Sequence, residues 1–129
     1  MPPWVHEMVR MRLQHVSVAI AADGDDAARE FYGGLLGLEE KPVPPKLDPN
    51  ELIWFSAGGD LELHLLRSGD EPPPSAHFCL AVDSALDELR ARVEAAGIET
   101  RTPTEIVGRP RFFCSDPFGN LVELTELRE

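Results

Sequence analysis

Two histidines and two glutamates recur at matched places in the two halves of this 129-residue chain. His15 opens the run "HVSVAI" and His77 opens "HFCLAV", 62 residues on; Glu62 in "LEL" and Glu123 in "VEL" stand 61 apart. Imidazole and carboxylate together suit a borderline divalent ion such as Zn, Fe, Ni, Co or Mn, and the all-oxygen set of a Ca site is missing. A coordination position left open on such an ion would take water or a substrate oxygen and polarise it. Taken singly, each residue reads as ordinary: a His at a strand start is commonly structural, and a Glu on a half-exposed strand is commonly solvated. The matched spacing sets the four apart.

Other residues could serve the same chemistry. The stretch Asp60–Leu66, "DLELHLL", alternates polar and apolar residues at period two, so His64 shares a strand face with Glu62, about 7 Å along it. Thr125 stands where the repeat would place a second copy of His64. His64 therefore reads as a substrate-facing or ligand-supporting residue, with a metal ligand in another register and a structural His as alternatives. Trp54 and Phe55 are neighbours on one predicted strand, so one faces a cavity and the other the core, and Trp54 joins the substrate-binding candidates. Arg109 and Arg111 in "GRPRFF" could bind an anionic substrate group, and surface solubility is the other reading.

These residues need strands to hold them. After a leader over 1–12, "LQHVSVAI" is β-rich, and "DGDDAAREFYGGLLGL" carries apolar residues at helical spacing behind an acidic start. Gly37 is the natural C-cap of that helix, expected over about 26–36. A Pro-broken short strand, "ELIWFSAGG" and "DLELHLL" complete a first βαβββ unit over 13–70. The linker "GDEPPPS" opens a second unit, 71–129: "AHFCLAV", a helix over about 85–96 with Ser84 as N-cap and Gly97 as C-cap, "IETRTP", "RPRFFCS" and "LVELTEL". Recurrence of one element order at one period marks a duplicated unit. The fold class predicted is α+β.

The length supports one real core. A formal net charge of -11, from 12 Lys plus Arg against 23 Asp plus Glu, repels phosphate backbones and anionic lipid surfaces, so nucleic acid and membranes are not expected partners. The start "MPPWVHEMVRMRL" lacks the plan of a secretory signal, and a cytoplasmic location is expected. Cys79 and Cys114 each sit in an apolar run and read as small buried hydrophobes.

The motifs "LQHVSV", "FYGGLLGL", "LELHLL", "AHFCLAV", "VEAAGIE" and above all "DPFGNLVEL" resemble those of the vicinal oxygen chelate superfamily, over residues 13–127. That superfamily groups glyoxalase I, fosfomycin and bleomycin resistance proteins and extradiol dioxygenases. The resemblance implies paired βαβββ modules curled around a cavity, with His15, Glu62, His77 and Glu123 as metal ligands and Glu123 or Glu62 as the catalytic base. It implies a small-molecule substrate, and a site within one chain or across a homodimer. It does not extend to glutathione: where glyoxalase I-like enzymes carry an Arg and an Asn for that thiol, this chain has Ala19 and Leu66. Two functions remain open at this point. One is a metal-dependent lyase, isomerase or dioxygenase acting on a small oxygenated metabolite; the other is a metal-free protein that sequesters a small molecule, as bleomycin resistance proteins do.

Overall fold

The computed structural model describes residues 10–127, so most of the expected leader lies outside the described residues. Two four-stranded mixed sheets form, one from each half of the chain. In the first, β1 (His15–Ala19) runs parallel to β4 (Glu62–Leu66), which pairs antiparallel with β3 (Leu52–Ser56), and β3 pairs with β2 (Glu40–Lys41). In the second, β5 (His77–Val82) runs parallel to β8 (Leu121–Glu126), followed by β7 (Arg111–Ser115) and β6 (Thr100–Arg101). This is the predicted α+β architecture of two βαβββ units. β1 and β5 are edge strands of their sheets.

Period-two patterning decides which residues enter the core. Leu63 and Leu65 of β4, Phe55 of β3, Phe112 and Cys114 of β7, and Val122 and Leu124 of β8 pack inward, under helical residues Ala28, Phe31, Leu89 and Val93. The alternate residues, Glu62, His64, Trp54, Arg111 and Glu123, stand on the opposite face. Of Trp54 and Phe55, Phe55 lies in the core and Trp54 takes the other face, stacked on His64.

The first helix lies where expected and is not a plain α-helix. α1 (Asp25–Ala28) continues into a π-helical segment, Arg29–Leu35, in which Leu36 N–H donates to Phe31 C=O five residues back. Phe31 and Tyr32 are both fully buried there. Gly37 closes the segment at φ +74°, with Leu38 N–H returning to Tyr32 C=O, as its C-cap role required. At α2 (Leu86–Ala95) the capping expectation is corrected. Ala85, not Ser84, holds the N-cap position, at φ +65° and without a side-chain cap; instead the Glu126 carboxylate accepts the Leu86 N–H at 3.3 Å. A tertiary neighbour supplies what the local sequence was expected to supply.

A buried lock joins the halves. Asp116 Oδ1 accepts the N–H groups of Phe118 and Asn120 at 2.8 Å each, shaping the "DPFG" turn that returns the chain into β8. Its Oδ2 accepts Tyr32 Oη–H from the first unit at 2.6 Å and Asn120 Nδ2–H at 2.8 Å, and Asn120 Nδ2 also donates to Ala19 C=O. Burial and the Asp116 charge push the Tyr32 hydroxyl far above its ordinary pKa, so it remains a donor.

Candidate functional site

Each sheet carries its own cluster. On the first, the Trp54 indole stacks on the His64 imidazole (centroids 3.8 Å apart, 6° between planes), and His64 stacks in turn on His15 (4.3 Å, 19°). His64 is therefore buried in a three-ring stack, so the face it shares with Glu62 is not an open solvated surface. The His64 Nε2–H donates to Glu62 Oε1 at 3.0 Å, and Lys41 Nζ donates to Glu62 Oε2. The Lys41 ammonium, then His64, hold the Glu62 carboxyl at about 2, well below its ordinary value.

On the second sheet, Glu123 is buried, with His77 Nε2 at 3.2 Å from its Oε1 and an Arg111 amino group at 3.4 Å from its Oε2. Phe113 packs edge-on against His77, and the Arg101 guanidinium lies over Phe113 at 4.8 Å. Arg111 also donates to Thr104 C=O at 2.8 Å. Arg109 lies on the approach to this sheet, where it and Arg111 act electrostatically on Cys79.

The two clusters are not exact copies. His15 stands directly across from Glu62 in the β1–β4 ladder, whereas the residue across from Glu123 is Cys79, and His77 faces Leu121 two residues earlier. This corrects the expectation for Cys79. Its sequence run is apolar, but its strand position turns it to the site face, where it is exposed. Partial burial of the sulfur and the neighbouring Glu123 push its thiol up to about 11, so it is not a reactive thiolate. Cys114 fits the core reading, being buried.

The histidine partners distinguish His15 and His77 from His64. Nδ1 of His77 lies 3.2 Å from Ser75 C=O, and Nδ1 of His15 lies 2.8 Å from Gln14 Oε1. Both oxygens are acceptors, so both Nδ1 atoms donate, which leaves Nε2 of each neutral ring with a lone pair. Metal-binding imidazoles are oriented in the same way. His64 is the reverse, because it spends its Nε2–H on Glu62. No signal in the sequence marks Lys41 as the partner of Glu62; it follows from the pairing of Lys41 with Trp54 and Trp54 with His64 across the sheet.

The donor types suit a divalent ion, but the single chain does not gather them. Among the described residues, no group of three or more His, Cys, Asp or Glu side chains could hold a metal ion. His15 and Glu62 are cross-strand neighbours on the first sheet, and His77 and Glu123 lie 3.2 Å apart on the second. His15, Glu62, His77 and Cys79 line a common cavity of about 710 Å³, whose remaining wall is mostly apolar. No helix of the described residues is long and apolar enough to cross a membrane.

Comparison with known proteins agrees with this fold. A glyoxalase family protein of Bacillus anthracis is 32% identical, with 94% of this chain and 98% of that one covered and a TM-score of 0.83. A lactoylglutathione lyase of Agrobacterium tumefaciens is 26% identical over 92% and 95% of the two chains, with a TM-score of 0.70. An antibiotic binding protein of Streptomyces sp. CB03234 shares the fold at 24% identity, over 93% and 98% and with a TM-score of 0.71. No curated protein matches the sequence. The profile of the Glyoxalase/Bleomycin resistance protein/Dioxygenase superfamily matches residues 12–124, and the chain belongs to that superfamily.

Proposed function

We propose that the chain is a divalent-metal-dependent enzyme acting on a small oxygen-bearing metabolite, by chemistry of the lyase, isomerase or dioxygenase type. The observation that carries this reading is the shared anchoring of His15 and His77: each donates Nδ1–H to an oxygen, while His77 presents Nε2 beside Glu123 and His15 stands across from Glu62 in the β1–β4 ladder. His77 Nε2 and Glu123 Oε1, at 3.2 Å, are two acceptors facing each other when the ring is neutral. A proton or a cation between them relieves that opposition. His15, Glu62, His77 and Glu123 would hold the ion. When bound it supplies Lewis-acid polarisation of a substrate oxygen. Glu123, buried and held between His77 and Arg111, is the proton acceptor, and the Trp54–His64–His15 stack offers a flat face against which a planar substrate packs.

The two pairs meet when a second copy sets its sheet edge beside that of the first, since β1 and β5 both end their sheets. The protein would then work as a homodimer. The test uses Glu62→Ala and Glu123→Ala chains, each loaded with Zn, Ni, Co, Mn or Fe and dialysed alone and after subunit exchange. Each variant alone should bind metal poorly, and the mixture should regain it, because one of the two sites in a mixed dimer is intact. No recovery on mixing places the site within one chain. A wild-type protein that retains none of these metals removes the enzyme reading. That result would leave a metal-free small-molecule-sequestering protein, a reading favoured by one feature: both carboxylates already carry a cationic partner, Lys41 and Arg111.

A further inference from the structure

A second cavity, of about 450 Å³, runs between α2 and the segment 102–111, away from the Trp54 stack. Arg90, Arg109 and Arg111 all line it, in a chain whose formal net charge is -11. The acids on its wall are Asp87 and Glu105; Arg90 also has Glu94 at 3.8 Å and Arg111 has Glu123 at 3.4 Å, which leaves Arg109 as the arginine of the groove without a paired carboxylate among the described residues. A groove of this size holds a small molecule or one end of a larger one.

The three arginines are unequally committed. Arg90 is built in: it donates to Thr100 Oγ1 at 2.9 Å and Thr102 Oγ1 at 2.7 Å and lies 5.4 Å over the Phe112 ring. The Arg109 side chain has no hydrogen bond or ion pair with any described residue. Arg111 is part-buried; one amino group donates to Thr104 C=O at 2.8 Å, and the rest of its fork is less well matched. Its bond to Glu123 is long, at 3.4 Å, and its Nε–H is buried without an acceptor. A buried donor left unmade is costly, and a guanidinium fork is best satisfied by a planar or tetrahedral oxyanion.

We propose that this groove binds the anionic group, a carboxylate or a phosphate, of the small molecule handled at Glu123. Arg111 touches both places, so an anion seated on Arg109 and Arg111 has the rest of its molecule directed toward Glu123 and His77. Arg90 fixes the groove wall. The substrate class is then a small oxygenated metabolite with an acidic end. The link to Glu123 rests on the function proposed above; the anion site itself does not.

The experiment is an NMR titration of the arginine Nε–H signals in the full 15N-labelled chain, with inorganic phosphate, succinate and chloride at matched ionic strength. The expected result is a saturable shift of the Arg111 signal with phosphate or succinate, and the stronger of the two identifies the anion class. Chloride should give only a small, unsaturated drift. Arg109→Ala should weaken the binding about tenfold, the worth of one charge-assisted hydrogen bond. Arg92→Ala, which removes an exposed arginine of α2 outside the groove, should leave it unchanged. Metal content, measured on the same samples, should be the same in Arg109→Ala as in wild type. Absence of a saturable shift with either oxyanion, or equal affinity in Arg109→Ala, overturns the proposal and leaves the metal reading standing. Anion binding by a protein that retains no metal sinks the metal reading alone.

Discussion

Replacing Tyr32 by Phe removes a single oxygen from the buried junction between the two units, and its cost can be worked from the contacts. The Tyr32 hydroxyl is fully buried and donates to the ionised Asp116 at 2.6 Å. The phenyl ring would keep its packing against Phe31 and Phe55, so the loss is confined to one charge-assisted hydrogen bond. Such bonds contribute about 1.5–3 kcal/mol. Asp116 would retain three donors, from Phe118 N, Asn120 N and Asn120 Nδ2, which keeps the carboxylate from being stranded and holds the cost within that range. With an unfolding entropy of about 2.1 cal/mol/K per residue over 129 residues, the melting temperature should fall by about 6–11 °C. Differential scanning calorimetry of wild type, Tyr32→Phe, Asp116→Asn and the double variant is the assay. The cycle should show coupling of at least about 1 kcal/mol, because the two side chains share one bond. A fall of less than about 2 °C in Tyr32→Phe would refute the reasoning and show that the junction is held by apolar packing alone.

Two further expectations concern the first-sheet cluster. Because Lys41 and His64 depress the Glu62 carboxyl to about 2 from an ordinary 4.5, its contribution to stability is full above about pH 4.5 and is lost as the pH falls toward 2. Lys41→Met should therefore show a smaller loss of stability than wild type between those limits; urea midpoints at pH 6 and pH 3 check this, and parallel losses in the two proteins would count against it. Glu62→Ala should lower metal occupancy sharply, while His64→Ala keeps it, since His64 spends its Nε2–H on Glu62 and its ring is stacked between Trp54 and His15. Elemental analysis after dialysis decides, and metal lost from His64→Ala but retained by Glu62→Ala would make His64 the ligand.

Much of the architecture was legible because short-range rules govern it. Period-two alternation assigns Leu63 and Leu65 to one face and Glu62 and His64 to the other whatever the partner strand is. Gly37 and Gly97 announce helix ends because each adopts a positive φ, +74° and +85°, that other residues avoid. The "DPFG" turn is equally local, with both Oδ1 bonds of Asp116 spanning at most four residues. The repeat in turn singles out His15, Glu62, His77 and Glu123 by type and spacing.

What the chain's own sequence determined, then, is the order of strands and helices, the face taken by the alternating residues of β3 and β4, and which four residues recur. Only the tertiary structure decided their partners. Alternation is blind to a register shift of two residues, since such a shift keeps every side chain on its face; so Cys79, and not His77, stands across from Glu123. The Leu86 N–H found Glu126, 40 residues away, in place of Ser84, and Tyr32 found Asp116 across 84 residues. The ion pairs of Glu62 with Lys41 and Glu123 with Arg111, the approach of His64 to Glu62 and of His77 to Glu123, and the separation of the quartet between two sheets follow from how the strands pair and the sheets pack. Contacts between distant residues depend on the packing of every element between them, which no local pattern encodes.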